Sequence, residues 1–420
     1  MSHDPHVIPS DLRGLARLAV EATVGVTDLV EAVHDAIGHP SELPRAHRPS
    51  RGRGVKGVVY GAIRSVTRMV GSGVNAALSP FDSLENGSLS SPEREALIAA
   101  LNGVAGDYLA ATGNPLAITM SLRYEGKPLI LETSELAAVI PKPGSRLLLM
   151  IHGLCRNDRQ WAQEKQNLGA ALALDLGCTP LYLRYNSGLH VSTNGRALAD
   201  LLEALIAQWP EPVESLTILT HSMGGLLARS ACHYAMESGQ AWPGSLRHLV
   251  FLGTPHHGSP VERWGHWVER GLEAAPFASP FARVAKVRSA GIMDLRHGNL
   301  LDGDWQGLDL SARHKDLRTH VPLPQGVHCY AMAATTGSHP DSWKGHLLGD
   351  GLVPVPSALG RHRNPKRCLN FPKEHTWIGP TMSHLDLLAR PEVYERLRRW
   401  LVDEGQAEGQ PDPSVAPQGR

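Results

Sequence analysis

Ser222 sits where its hydroxyl could attack a carbonyl carbon. Leu216-Thr217-Ile218-Leu219-Thr220 is a β-branched and apolar run that reads as a buried strand. Leu226-Leu227-Ala228 then open a run with helical spacing through Cys232 and Met236. Strand, sharp turn and helix with a serine at the corner is the layout of a nucleophile elbow. The turn needs small neighbours, and Gly224 and Gly225 supply them. The helix starts at the serine, so its first N–H groups, that of Met223 among them, point at any oxyanion formed there. The usual pattern is G-x-S-x-G, and here Thr220 takes the first position. The plain alternative is a serine capping an ordinary helix.

Three further pieces fit acyl transfer. Ile151-His152-Gly153-Leu154 closes an apolar strand. A glycine there lets the backbone turn outward and aims the Leu154 N–H at the point the Met223 N–H faces, which makes a two-donor oxyanion hole. Gly349-Asp350-Gly351 places a carboxylate between glycines on a loop, with Asp341 as the rival acid. Met382-Ser383-His384-Leu385 places an imidazole in a loop before the last helix, where a base at the carboxyl edge of a sheet belongs, with His375 as the rival. Each has a structural alternative: a strand-end turn, an Asp-Gly turn, and one histidine among 22.

The elements that must position these residues alternate. Ile118–Tyr124 and Leu129–Leu131 read as strands around a turn, and Arg146–Ile151 as a strand buried on both faces. Helix 160–174, strand 180–185, helix 193–208, strand 216–220, helix 223–237 and strand 247–252 follow. Strand 327–333 and a helix at about 391–403 close the series. That rhythm predicts an α/β fold, a mostly parallel central sheet with helices on both faces. Residues 258–320 interrupt it and carry Trp264, Trp267, Phe277, Phe281 and Trp305. They read either as a lid over an acyl pocket or as anchors of an insert. Arg296, within Asp294-Leu295-Arg296, reads as half of a structural ion pair.

The chain order Ser222, Asp350, His384 is that of the α/β-hydrolase triad. The sequence resembles an α/β-hydrolase of the lipase and PGAP1-like (inositol-deacylase-like) type over about residues 117–403. The matching pieces are I-H-G-L at 151–154, T-H-S-M-G-G at 220–225, G-T-P-H-H-G-S at 253–259, D-G-L-V-P at 350–354 and S-H-L-D-L at 383–387. The resemblance implies a serine hydrolase of carboxylic esters, with an ester or lipid as its small-molecule substrate and no metal or organic cofactor. It also implies that Leu154 donates to the oxyanion and that His256 and His257 line the pocket. An acyltransferase on the same triad, or a catalytically silent lipid- or partner-binding scaffold, are the competing readings.

Composition agrees. The 420 residues carry 41 Lys+Arg against 41 Asp+Glu, which gives no basic surface for nucleic acid. Five cysteines without recurring metal-ligand spacing suit small buried residues in a reducing compartment. No signal peptide and no roughly 20-residue apolar span is legible, so a cytoplasmic protein is expected. The expected organisation is an N-terminal helical region (1–114), a hydrolase domain (115–404, with 258–320 inserted) and a disordered tail (405–420). Within residues 10–78, two amphipathic runs flank a linker with Arg45, Arg48, Arg51 and Arg53. They read either as a collar packed on the body or as a peripheral contact with a lipid surface.

Overall fold

The computed structural model describes Gly14 and residues 92–163, 166–260, 289–307, 316–339 and 349–407. The amphipathic runs of residues 10–78, Trp264, Trp267, Phe277, Phe281, Asp341 and the tail from 408 lie outside the described residues. The chain divides into two compact units, Met1–Glu95 with Tyr108–Ala117, and Ala96–Asp107 with Ile118–Arg420. In the first, Asn114 donates to the Gly14 carbonyl and accepts from the Leu116 N–H. A helix, α1 (Pro92–Ala111), leaves helical geometry at Ala105.

The second unit is built on an eight-stranded sheet. Its strands are β1 (Ser121–Tyr124), β2 (Lys127–Pro128), β3 (Arg146–Ile151), β6 (Thr179–Arg184), β7 (Ser215–His221), β8 (Leu246–Leu252), β9 (His328–Thr335) and β10 (Thr376–Pro380). Two short strands, β4 (Ala162–Gln163) and β5 (Gln166–Asn167), form a separate hairpin. The order across the large sheet is β10-β9-β8-β7-β3-β6-β1-β2. All neighbours are parallel except β1, which runs antiparallel to both β6 and β2.

The helices are α2 (Thr133–Val139), α3 (Leu168–Leu176), α4 (Val191–Gln208), α5 (Met223–Glu237), α6 (Ala290–His297), α7 (Val355–Ala358) and α8 (Pro391–Ala407). Strand alternation sorts the core into two layers. Leu147, Leu149 and Ile151 of β3 face a layer with Leu198 and Leu202 of α4 and Leu227 and Ala231 of α5. Leu148 and Met150 face another with Leu172 of α3 and Leu397 and Leu401 of α8. Among the described residues no helix is long and apolar enough to cross a membrane.

The expected elements recur with three differences. The helix expected at 160–174 is a 3₁₀ turn (Asp158–Trp161), the β4–β5 hairpin and then α3. Asn167 starts that helix by accepting the Ala170 N–H, and Gly177 ends it at φ 61°. The strand expected at 129–131 is shifted to Lys127–Pro128 at the edge of the sheet; the Leu129 N–H still donates to the Leu122 carbonyl (2.8 Å), and Ile130 is exposed. The edge strand β10 and helices α2, α6 and α7 have no counterpart in the sequence reading.

Three imidazoles lie wholly inside this unit. Burial lowers His152 to about 3 and holds His221 and His256 well below the ordinary histidine range. In an unfolded chain each returns to about 6.5. Below that value the unfolded chain binds more protons, so stability falls as pH drops, by about 1.4 kcal/mol per pH unit for each imidazole. The urea midpoint is therefore expected to fall steeply from about pH 7 to about pH 5. A midpoint constant over that range would contradict the burial of neutral imidazoles.

Candidate active site

The chain reverses its direction of travel across the sheet at β3. It passes from β3 to β6 on one side and then returns to β7 on the other. Ligands of open α/β sheets bind at the carboxyl ends of strands at such a switch point. Here those ends are His152-Gly153-Leu154 after β3 and Ser222 after β7.

Ser222 has φ 57° and ψ −124°, between the last residue of β7 and the first of α5. A non-glycine residue in that region carries about 1–3 kcal/mol of strain, held by its surroundings. The Ser222 N–H donates to the Leu252 carbonyl (2.8 Å), and its own carbonyl accepts from Gly225 (3.1 Å). A Cβ on Gly224 would lie 2.7 Å from the main-chain oxygens of Ile151 and His152, so only glycine fits. Thr220 is accommodated because its hydroxyl donates to the Val250 carbonyl at 2.8 Å. Ser222 is 2% exposed, and its hydroxyl has no hydrogen-bond partner among the described residues.

Gly153 lies against the serine: a Cβ there would sit 3.0 Å from Ser222 Cβ. Leu154 follows, and Cys155 takes φ 56° with its N–H on the Ser187 hydroxyl (3.1 Å). Met223, in the first turn of α5, has no acceptor for its N–H within the helix. Leu154 and Met223 share one buried cluster with Val191, Ile292, Leu352 and Val353.

Asp350 and His384 are joined directly. Asp350 Oδ2 lies 2.6 Å from His384 Nδ1, and Oδ1 accepts the N–H groups of Leu352 (2.9 Å) and Val353 (2.8 Å). The His384 N–H also donates to the Asp350 carbonyl (3.1 Å). Both side chains are almost wholly buried. A carboxylate on Nδ1 places the ring proton there and leaves Nε2 as the basic nitrogen. The His384 ring approaches Gly253, the residue after Leu252, which holds the Ser222 N–H. His221 Nε2 lies 3.2 Å from the His384 carbonyl, with the two rings 4.6 Å apart. Ser222, Asp350 and His384 thus all follow the carboxyl ends of strands of one sheet, after β7, β9 and β10.

The rival His375 does not. Its Nδ1 lies 3.2 Å from the Cys329 carbonyl and its ring 4.2 Å from that of Tyr330, near the amino end of β9. A cavity of about 380 Å³ lined by His320, His328, Cys329, Cys368 and His375 lies at that opposite end. His256 Nδ1 is 3.4 Å from Arg229 Nη1, and its ring packs edge-on against Phe251. His257 Nε2 is 3.1 Å from the Gly360 carbonyl, and burial lowers the ring to about 4. Among the described residues neither bonds to Ser222, Asp350 or His384.

Trp305 stacks on His190 (3.6 Å, 7°) and donates to the Ser192 hydroxyl (3.0 Å). Asp294 turns its carboxylate to His190 Nδ1, the Val191 N–H and the Asn299 amide. Asp294 is wholly buried and pairs with His190, so the expected ion pair of Arg296 with it is not formed among the described residues. No group of three or more His, Cys, Asp or Glu among the described residues is placed to hold a metal. The sequence reading passed over His221 and Tyr185, whose hydroxyl donates to the His152 carbonyl (3.0 Å).

Residues 143–328 match the family model of the PGAP1-like alpha/beta domain. The mostly parallel eight-stranded sheet is an α/β fold, in keeping with that domain. Solved structures similar to this chain include Bacillus licheniformis lipase BlEst2 in mature form, at 17% identity and a TM-score of 0.40 over 67% of this chain and 98% of that one. Phospholipase PlaB from Legionella pneumophila aligns at 17% identity and 0.37 over 63% and 62%. A hyperthermophilic esterase from Pyrobaculum calidifontis aligns at 11% identity and 0.37 over 79% and 97%. These identities say nothing of substrate. No curated protein matches the sequence.

The Asp350 loop supplies a test that does not depend on activity. Gly349 has φ 57°, and a Cβ on it would run into the Val353 carbonyl. Gly349→Ala is expected to lose about 1–3 kcal/mol of stability in urea denaturation. A loss below about 0.5 kcal/mol would mean that the loop is not held as described.

Proposed function

We propose that the chain is a serine hydrolase cleaving carboxylic esters, with Ser222, His384 and Asp350 as its triad. The observation that carries this is the 2.6 Å Asp350–His384 pair at the same sheet edge as the strained Ser222 turn. His384 Nε2 takes the hydroxyl proton as Ser222 Oγ bonds to the carbonyl carbon. The N–H groups of Leu154 and Met223 receive the negative oxygen of the tetrahedral intermediate. That intermediate collapses, the C–O bond to the alcohol breaks, and His384 returns the proton to the leaving oxygen. Water, deprotonated by the same nitrogen, then attacks the acyl-enzyme and releases the acid. Asp350 holds the ring tautomer and stabilises the imidazolium.

Steady-state hydrolysis of p-nitrophenyl esters tests the roles. Ser222→Ala and His384→Ala are each expected to lose on the order of 10⁴-fold in kcat, and Asp350→Asn a comparable amount. His375→Ala is expected to leave kcat unchanged. A Ser222→Ala variant that keeps a tenth of the activity would refute the nucleophile.

The rate should also rise with pH as the imidazole loses its proton, because only the neutral ring accepts one. A rate that falls steadily as pH rises would remove His384 as the base.

A further inference from the structure

The residue before the serine is a second buried imidazole. His221 is the last residue of β7 and 1% exposed. Its Nε2 lies 3.2 Å from the main-chain carbonyl of His384, and its ring lies 4.6 Å from the His384 ring. A carbonyl oxygen only accepts, so Nε2 carries the proton and Nδ1 is bare. Nδ1 faces Gly153, 3.2 Å from where a Cβ would stand, and has no hydrogen-bond partner among the described residues. A buried acceptor left unmet costs about 1–3 kcal/mol. An apolar side chain would avoid that cost, so the imidazole needs another reason to be there.

The covalent geometry supplies one. Ser222 is fixed to His221 by a peptide bond, while His384 stands on a separate loop. That loop is tied on its far side by Met382 N–H to the Thr335 carbonyl and by His384 N–H to the Asp350 carbonyl. Both ties fix it to the acid's side. The His221 contact reaches it from the nucleophile's own strand, so it sets the distance between base and nucleophile. Burial, and then the neighbouring His384, hold the His221 ring well below the ordinary histidine range, which keeps it a neutral, single-tautomer donor.

We infer that His221 is a positioning residue: its Nε2–H on the His384 carbonyl holds the base's loop against the nucleophile turn. The inference rests on the hydrolase reading above. It assigns His221 no proton transfer and no contact with substrate.

Two amide substitutions separate this role from plain packing. In His221→Gln the amide nitrogen reaches as far as Nε2 and keeps the donor. In His221→Asn the amide nitrogen reaches only as far as Nδ1 and leaves the His384 carbonyl without it. We would measure kcat and KM on a short p-nitrophenyl ester, the labelling rate of Ser222 by a fluorophosphonate, and hydrogen exchange over residues 381–388. His221→Asn is expected to lower kcat and labelling by on the order of 10²-fold with KM little changed, and to speed exchange over 381–388. His221→Gln is expected to restore all three. Equal behaviour of the two variants, whether both resemble the unaltered protein or both fail alike, would overturn the role. If the unaltered protein neither hydrolyses the ester nor takes the probe at Ser222, the hydrolase reading fails instead. The exchange difference between the two variants then decides the positioning role alone.

Discussion

Ile151 lies opposite Thr220 in the pairing of β3 with β7, and two residues further on Gly153 meets Ser222. The site depends on that register. A slip of one residue would turn every side chain of these two strands to the other face of the sheet. The register is held by side chains that are fully buried on both faces, Leu147, Leu149 and Ile151 on one and Leu148 and Met150 on the other. With it fixed, the ends of β3 and β7 come together at the switch point of the sheet. Small residues are required where the backbones close on each other, which explains Gly153 and Gly224.

The second constraint is electrostatic. A carboxylate is costly to bury unless it is hydrogen-bonded. Asp350 meets that condition with two N–H groups on one oxygen and an imidazole on the other. His152 and His221 are too buried to take up a proton at neutral pH. An imidazolium formed at His384 would face the Asp350 carboxylate at 2.6 Å, in a setting where water screens little.

The parts of this arrangement legible in the sequence are those that short-range physics determines. β3, β7 and β8 are buried on both faces and read as continuous apolar runs, and the turn at Ser222 announces itself by glycines where side chains cannot fit. Asp350 and His384 were legible as loop residues of suitable type, but their pairing across 34 positions is a tertiary fact. The β4–β5 hairpin was hidden because Trp161, Leu168 and Leu172 keep a helix-like spacing while Asn167 restarts the chain by capping α3. β10, Thr-Trp-Ile-Gly-Pro at the sheet's edge, lacks an apolar run because only one side of it is paired. His221 was passed over because its partner is a main-chain carbonyl 163 residues away, and no side-chain pattern advertises that.

The central claim is that Ser222 forms a covalent acyl intermediate. Rapid mixing with a p-nitrophenyl ester, an acid quench within the first turnovers and mass spectrometry of the proteolysed protein would test it directly. The account predicts the added mass of one acyl group on the peptide containing Ser222, appearing with the first p-nitrophenolate and absent from Ser222→Ala. Turnover with no acyl mass on that peptide, or the mass on a different residue, would contradict it.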